Sequence, residues 1–409
     1  MNAKKFTLRC WMKWILIGLI GLTWLIACSP ILETTVPPTP EQDTFSPSAS
    51  PTPAYLTFTP VPTQAISRLP TAIGYSPVTL PENINPLTGL PVDDPQLLER
   101  RPMAVKVTNF PRYARPQYGL SQADLVFEYY IEDYMTRFTA IFYGRDAEQI
   151  GPVRSGRFFD EHILRMYHAY LIFKGADKRV FDSWKEAPDL HPFLIVAGSG
   201  TCPWYCVMKT GHDEYNSYFF NSRLFQEYLE RAGKDNTRQP LRASYFYTIS
   251  PVSTLRGEKI FIHFSRISYH YWQYDPTSGR YLRYQETEDT GENLPEVYAA
   301  FTDALTGEQI AADNVVVLFA AYTFADAWQE EDEVFHIELT DAGRAFVFRD
   351  GLAFEALWHR TDRDQPLLLT DLNGEPLPFK LGTTFFEVLG NTSFYTQQQA
   401  IWRFQHNIP

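Results

Sequence analysis

The sequence predicts an α+β protein: a mixed α/β N-terminal unit packed on a mostly antiparallel β C-terminal unit, preceded by a signal peptide and a disordered Pro/Ser/Thr tether. Three observations predict it. Aromatic residues make up 15% of the chain, a load suited to Tyr- and Phe-packed sheets. Segments of alternating polarity recur along both halves between turn residues, as hairpin strands do. The prolines crowd near the start: eleven of the 30 fall within residues 29–80, where no apolar period lasts long enough to bury a core.

The first element is an address. Lys4, Lys5, Arg9 and Lys13 precede an apolar run from Trp14 to Ala27, and no acidic residue occurs before Glu33. The run has the length of a signal-peptide core and falls short of the roughly 20 residues of a spanning helix. It closes Leu25-Ile26-Ala27-Cys28, which resembles a bacterial lipobox, with Cys28 as the lipidated residue. Cleavage after residue 27 removes four positive charges and takes the net charge from −12 to −16. The lipid, rather than basic surface charge, then does the anchoring. The same acidity excludes general nucleic-acid binding, which needs a basic face. The expected organisation is a signal peptide at 1–27, a tether at 28–80, an N-terminal domain at 81–250 and a C-terminal domain at 251–409. The expected location is the extracytoplasmic face of a bacterial cell membrane.

In the N-terminal unit, Met103 to Asn109 reads as a strand, and Leu125 to Asp133 with Thr136 to Gly144 as a hairpin. If Tyr130 pairs with Arg137, Arg137 shares a face with Glu128 and Glu132; a slip of one residue moves it to the other face. Phe159, Ile163, Met166 and Tyr170 recur at helical spacing, and Ser155 is a candidate N-cap. Arg154 and Arg157 then lie at a helix start, where free backbone N–H groups favour anions. Arg137, Arg154 and Arg157 therefore make either an anion-binding corner or an internal network with Glu128, Glu132 and Asp124.

Once Cys10 leaves and Cys28 is lipidated, Cys202 and Cys206 remain. They form a small-loop disulfide, stay as free thiols, or join His191 and His212 in a zinc set.

The C-terminal unit is a series of β signals. Tyr271 to Tyr284 reads as a hairpin with Asp275, Pro276 and Gly279 at its turn, and Val315 to Ala321 as a buried strand. Arg344–Arg349 and Leu352–Trp358 flank Asp350-Gly351, and Asn373-Gly374 marks another turn. Trp272, Tyr274, Tyr281 and Tyr284 are either cross-strand packing or a sugar-stacking surface.

No Gly-x-Gly-x-x-Gly, Walker loop, His-Glu-x-x-His or Gly-x-Ser-x-Gly motif occurs. Glu128 and Glu132, four apart on one strand, are separated by about 13 Å, too far for a usual glycosidase pair. No cofactor and no metal is expected.

Asn85-Pro-Leu-Thr-Gly89, Arg101-Pro-Met-Ala-Val105, the run from Arg115-Pro-Gln117 to Glu128, Thr136-Arg-Phe138 and Ile150-Gly-Pro-Val-Arg-Ser-Gly-Arg157 together resemble the YerB-like lipoprotein family. His212-Asp-Glu-Tyr-Asn216 resembles that family's Pro-His-Asn segment, with Gly211 in the proline's place. The resemblance spans roughly residues 82–390 and implies no established reaction. The expected function is a ligand-binding or cell-envelope accessory module with Arg115, Gln117, Glu128, Arg137, Arg154, Arg157 and His212 as candidate ligand residues. Its partner would be an envelope polymer or protein. The alternative is an envelope hydrolase or transferase using Glu128 and His212 with the arginine cluster.

Overall fold

A computed structural model describes residues 72–198, 200–326 and 334–408. The segment expected as a signal peptide, Cys28 and most of the expected tether lie outside them. The described chain is mostly β-sheet with few helices. Two large sheets face one another. One has eleven strands, from Leu368–Thr370 at one edge to Leu194–Val196 at the other; the second has seven, between Tyr298–Ala300 and Phe394–Gln398.

The two halves of the sequence share the larger sheet. Strand Thr384–Gly390 runs parallel to Leu125–Tyr130 and parallel on its other side to Asn314–Phe324. The units expected to pack side by side are instead continuous through this ladder. Its register sets Glu387 directly opposite Glu128, so both carboxyls leave the sheet on the same face.

The hairpin Leu125–Tyr130/Thr136–Phe142 forms, but Tyr130 pairs with Thr136 and Tyr129 with Arg137. Ile131 and Met135 close a loop of three residues, within which Asp133 and Tyr134 take the left-handed conformation with φ of 57° and 61°. The odd loop slips the register by one residue. Arg137 therefore lies on the face opposite Glu128, beside Tyr129.

That second face carries the helices. Asp160–Tyr167 buries Ile163 and Met166 against it, with Phe159 packed 4.3 Å from Tyr129 between ring centroids. The helix starts four residues later than a Ser155 cap requires, and Asp160 itself accepts the backbone N–H of Arg157 at 2.8 Å. Tyr170, expected on the helix, begins the strand Tyr170–Phe173. Arg154 and Arg157 are accordingly in the approach to the helix, not in its first turn.

The seven-stranded sheet covers the Glu128 face. Its hairpin Tyr269–Asp275/Arg280–Glu286 turns as expected, with Asp275 accepting the N–H groups of Thr277 and Ser278 and Gly279 at φ 69°. Trp272 and Tyr281 are fully buried, while Tyr271 and Tyr284 stack 4.6 Å apart. Trp272 and Tyr281 are therefore packing, while Tyr274 and Tyr284 stay half-buried. Asp350 and Gly351, both at positive φ, join Asp341–Arg349 to Leu352–Arg360. Near the described start, Gly74–Tyr75 pairs with Phe246–Tyr247, so part of the expected tether belongs to the head. Two residues are too few to show a period.

Candidate functional site

The predicted site residues divide between two places. The first is the joint between the sheets. Glu128, fully buried, accepts from Asn109 Nδ2 at 3.0 Å and Thr136 Oγ1 at 2.6 Å through one oxygen, and from Arg283 Nη2 at 2.6 Å through the other. Arg283 comes from the facing sheet and reaches Glu387 Oε1 at 3.4 Å as well. The same Glu387 oxygen accepts from Trp272 Nε1 at 2.8 Å and lies 2.9 Å from His270 Nε2. Burial first, and then the Arg283 charge, hold His270 well below the ordinary imidazole range, against the opposing pull of Glu128.

Arg115 joins this place from the loop. It donates to Asn109 O and Oδ1 at 2.9 and 3.0 Å and to Glu286 Oε1 at 2.7 Å. Together with Arg112, Gln285, Glu286 and Phe301 it walls a cleft of about 330 Å³ open to solvent. Gln117 is a clamp: its side-chain amide donates to Thr108 O at 3.0 Å and its backbone carbonyl accepts from Ala304 N at 2.7 Å. Glu128, His270 and Glu387 have the spacing of a metal set, with one ligand atom from each within 4.8 Å of the others. Arg283 already holds both carboxylates.

The second place is the arginine corner, on the opposite face. Arg137, 4% exposed, donates Nη1 to Ser155 O at 3.0 Å, and Arg157 donates to the same carbonyl at 3.2 Å. Arg157 also forks onto Glu132, with Nε to Oε2 at 2.8 Å. Arg154 donates Nη1 to Asn216 Oδ1 at 2.6 Å. Among the described residues no carboxylate lies within 4.0 Å of the Arg137 or Arg154 guanidinium. Burial first, and Arg157 next, press the Arg137 guanidinium well below its usual pKa. The corner is a concentration of positive charge: among the described residues only Arg157 has a direct carboxylate contact, while Asp213 and Glu132 offset Arg154, and Glu132 offsets Arg137, from farther away.

Its location follows from the parallel strands Met103–Thr108, Tyr170–Phe173 and Leu194–Val196. Arg154 N donates to Lys106 O, and Lys174 N donates to Arg154 O, both at 3.0 Å, lacing Arg154 between the carboxyl ends of the first two. Ligands of α/β sheets gather at such ends. Beyond Arg154, Asn216 Nδ2 donates to Asp213 at 2.8 Å, and Asp213 also takes the Tyr113 hydroxyl. His212 is exposed, with its ring 5.5 Å from Tyr113.

The structure thus joins Arg115 to Glu128 through Asn109, gathers Arg137, Arg154 and Arg157, and places His212 on the rim of the latter. It does not bring Glu128 and His212 together: one faces the second sheet and is sealed, the other is at the surface. Glu128 and Glu132 likewise serve different arginines. Cys202 and Cys206 are bonded to each other, which leaves the zinc alternative without its sulfur ligands.

Sequence reasoning missed Arg283, His270 and Glu387 at the joint, and Asn216, Asp213 and Tyr113 at the corner. One signal was present. Tyr281, Arg283 and Gln285 alternate on one face of the second hairpin, and an arginine sharing a face with packed aromatics has to meet an acid.

A β-rich head with two facing sheets joined by buried ion pairs is the class defined by this geometry. The chain belongs to the DUF3048 family. Residues 87–234 match the description "protein of unknown function (DUF3048) N-terminal domain", and residues 260–386 match its C-terminal domain. A Bacillus subtilis relative named "Putative lipoprotein YerB" is 28% identical over 315 residues, 74% of this chain and 85% of its own. The crystal structure of YerB from Bacillus subtilis superposes with a TM-score of 0.60 at 23% identity, covering 75% of this chain and 96% of that one. This likeness shows the shared fold.

Proposed function

We propose that the chain is a lipid-anchored, extracytoplasmic envelope protein whose head binds an anionic envelope component at the Arg137–Arg154–Arg157 corner. The observation that carries the reading is the pair of guanidiniums, Arg137 and Arg154, at the carboxyl ends of parallel strands and, among the described residues, with no carboxylate within 4.0 Å. A buried cation left with spare donors is expensive unless something anionic is meant to meet it. The corner lies in the N-terminal domain, residues 81–250, which with the C-terminal domain, residues 251–409, is carried on the Pro-rich tether. An anionic cell-envelope polymer, or an acidic protein segment, is the partner class. The relative's name and the Leu25-Ile-Ala-Cys28 close support the anchor.

Calorimetric titration with soluble polygalacturonate oligomers and with polyphosphate tests the corner. Wild type should bind one of them. Arg154→Ala should bind about ten- to a hundredfold more weakly, the loss of one charge-assisted contact, with an unchanged melting temperature because Arg154 is partly exposed. Absence of anion binding by wild type would leave the corner as a structural network. The anchor is tested separately: Cys28→Ala should accumulate unprocessed, without a diacyl group in intact-mass spectra. A wild-type mature N-terminus elsewhere would overturn the lipid assignment.

A further inference from the structure

Charge at the joint does not balance. From the larger sheet come Glu128 and Glu387, directly opposite in register and each fully buried. From the facing sheet come Arg283, His270 and Glu286. Glu286 is matched by Arg115 at 2.7 Å, with Arg112 at 3.6 Å, and Arg112 also serves Asp289 at 2.8 Å. That set closes on itself. Two buried carboxyls are then left to one guanidinium, Arg283, beside the His270 ring, whose protonation burial disfavours.

The hydrogen bonds are equally lopsided. Glu387 Oε1 is surrounded by the Trp272, His270 and Arg283 donors, whereas Glu387 Oε2 is buried and without a partner. Neighbouring strands lie about 4.8 Å apart, and carboxyls opposed at that spacing in low dielectric do not both ionise. We propose that Glu128 and Glu387 share a single proton, carried on Glu387, so that the two sheets are joined by a carboxylic acid–carboxylate pair bridged by Arg283. The proton supplies the hydrogen that Glu387 Oε2 lacks and removes the excess negative charge. Burial, opposed by Arg283, raises the Glu387 pKa above its ordinary 4.5, in the same direction.

The consequence has a definite sign. A carboxyl whose folded pKa is raised contributes stability that is complete below about pH 4.5, its unfolded value, and is lost as pH rises through the folded value. Glu387→Gln keeps the donor and acceptor of the protonated acid and cannot ionise. Melting both proteins from pH 5 to pH 9 should show wild type losing roughly 2 °C per pH unit relative to Glu387→Gln, until the folded pKa is passed. The infrared spectrum of wild type at pH 7 should hold a protonated-carboxyl carbonyl stretch that Glu387→Gln lacks. Should that variant fail to fold, Glu128→Gln carries the same comparison, since either amide removes the shared proton. A melting difference independent of pH, absence of the carbonyl band, or a stoichiometric metal ion in the purified wild type would each overturn the proposal.

Discussion

Arg283→Met should lower stability by about 3–5 kcal/mol, the cost of removing one partner from a buried ionic set. On a head of this size that is a fall of roughly 10 °C in melting temperature. The side chain is fully buried, takes Glu128 at 2.6 Å and Glu387 at 3.4 Å, and lies within 5.4 Å of the Phe138, Trp272 and Phe301 ring centres. Methionine fills much of that volume, so the loss reads the stranded carboxyls and not a cavity. If so, Arg283→Met combined with Glu128→Gln and Glu387→Gln should recover a large part of the loss. A surface pair provides the control. Arg223 and Glu148 are each more than half exposed, and Arg223→Ala should change stability by less than about 1 kcal/mol. A melting loss for Arg283→Met as small as that of Arg223→Ala would show that the sheets are held by apolar packing alone.

The joint also marks where sequence reading reaches its limit. Strands and turns were legible because they are local. Asp275 and Gly279 fix one hairpin, Asp350 and Gly351 another, and each announces itself within a few residues. The helix core positions Phe159, Ile163 and Met166 were legible through their period. The Arg137 side of its hairpin was not, because one extra loop residue between Ile131 and Met135 reverses every face without altering the alternation. Glu387 was invisible for a different reason: its partner Glu128 is 259 residues away, joined through a parallel ladder that no turn chemistry records. The corner was half legible. The sequence placed Arg154 and Arg157 near one another, but Glu132 claiming Arg157, and Asn216 rather than an acid meeting Arg154, depend on loops whose positions only the fold supplies.

Lys106→Met should reverse a pH dependence that the wild type shows above neutrality. Lys106 is fully buried on the helix face, bonded to the Tyr129 hydroxyl, to Thr139 Oγ1 at 2.9 Å and to Asp160 at 3.2 Å. Burial, only partly offset by Asp160 and aided by Arg137 and Arg157, pulls its pKa from 10.5 to about 7. Between those values the unfolded chain holds a proton that the folded chain has released, so stability rises with pH. The slope is about 1.4 kcal/mol per pH unit, so wild type should gain on the order of 3 kcal/mol over Lys106→Met between pH 7 and pH 9.5. The comparison stops there because Tyr129, whose pKa burial raises well above its usual 10, begins to titrate in the unfolded chain and acts in the opposite sense. Its sign is also opposite to that of Glu387, and the two variants separate them: Glu387→Gln removes the falling limb, Lys106→Met the rising one. Denaturant melts of wild type and Lys106→Met that run parallel from pH 7 to pH 9.5 would mean that Asp160 keeps the amine charged in the fold. The lysine beneath the arginine corner would then add to its positive field rather than be neutralised by it.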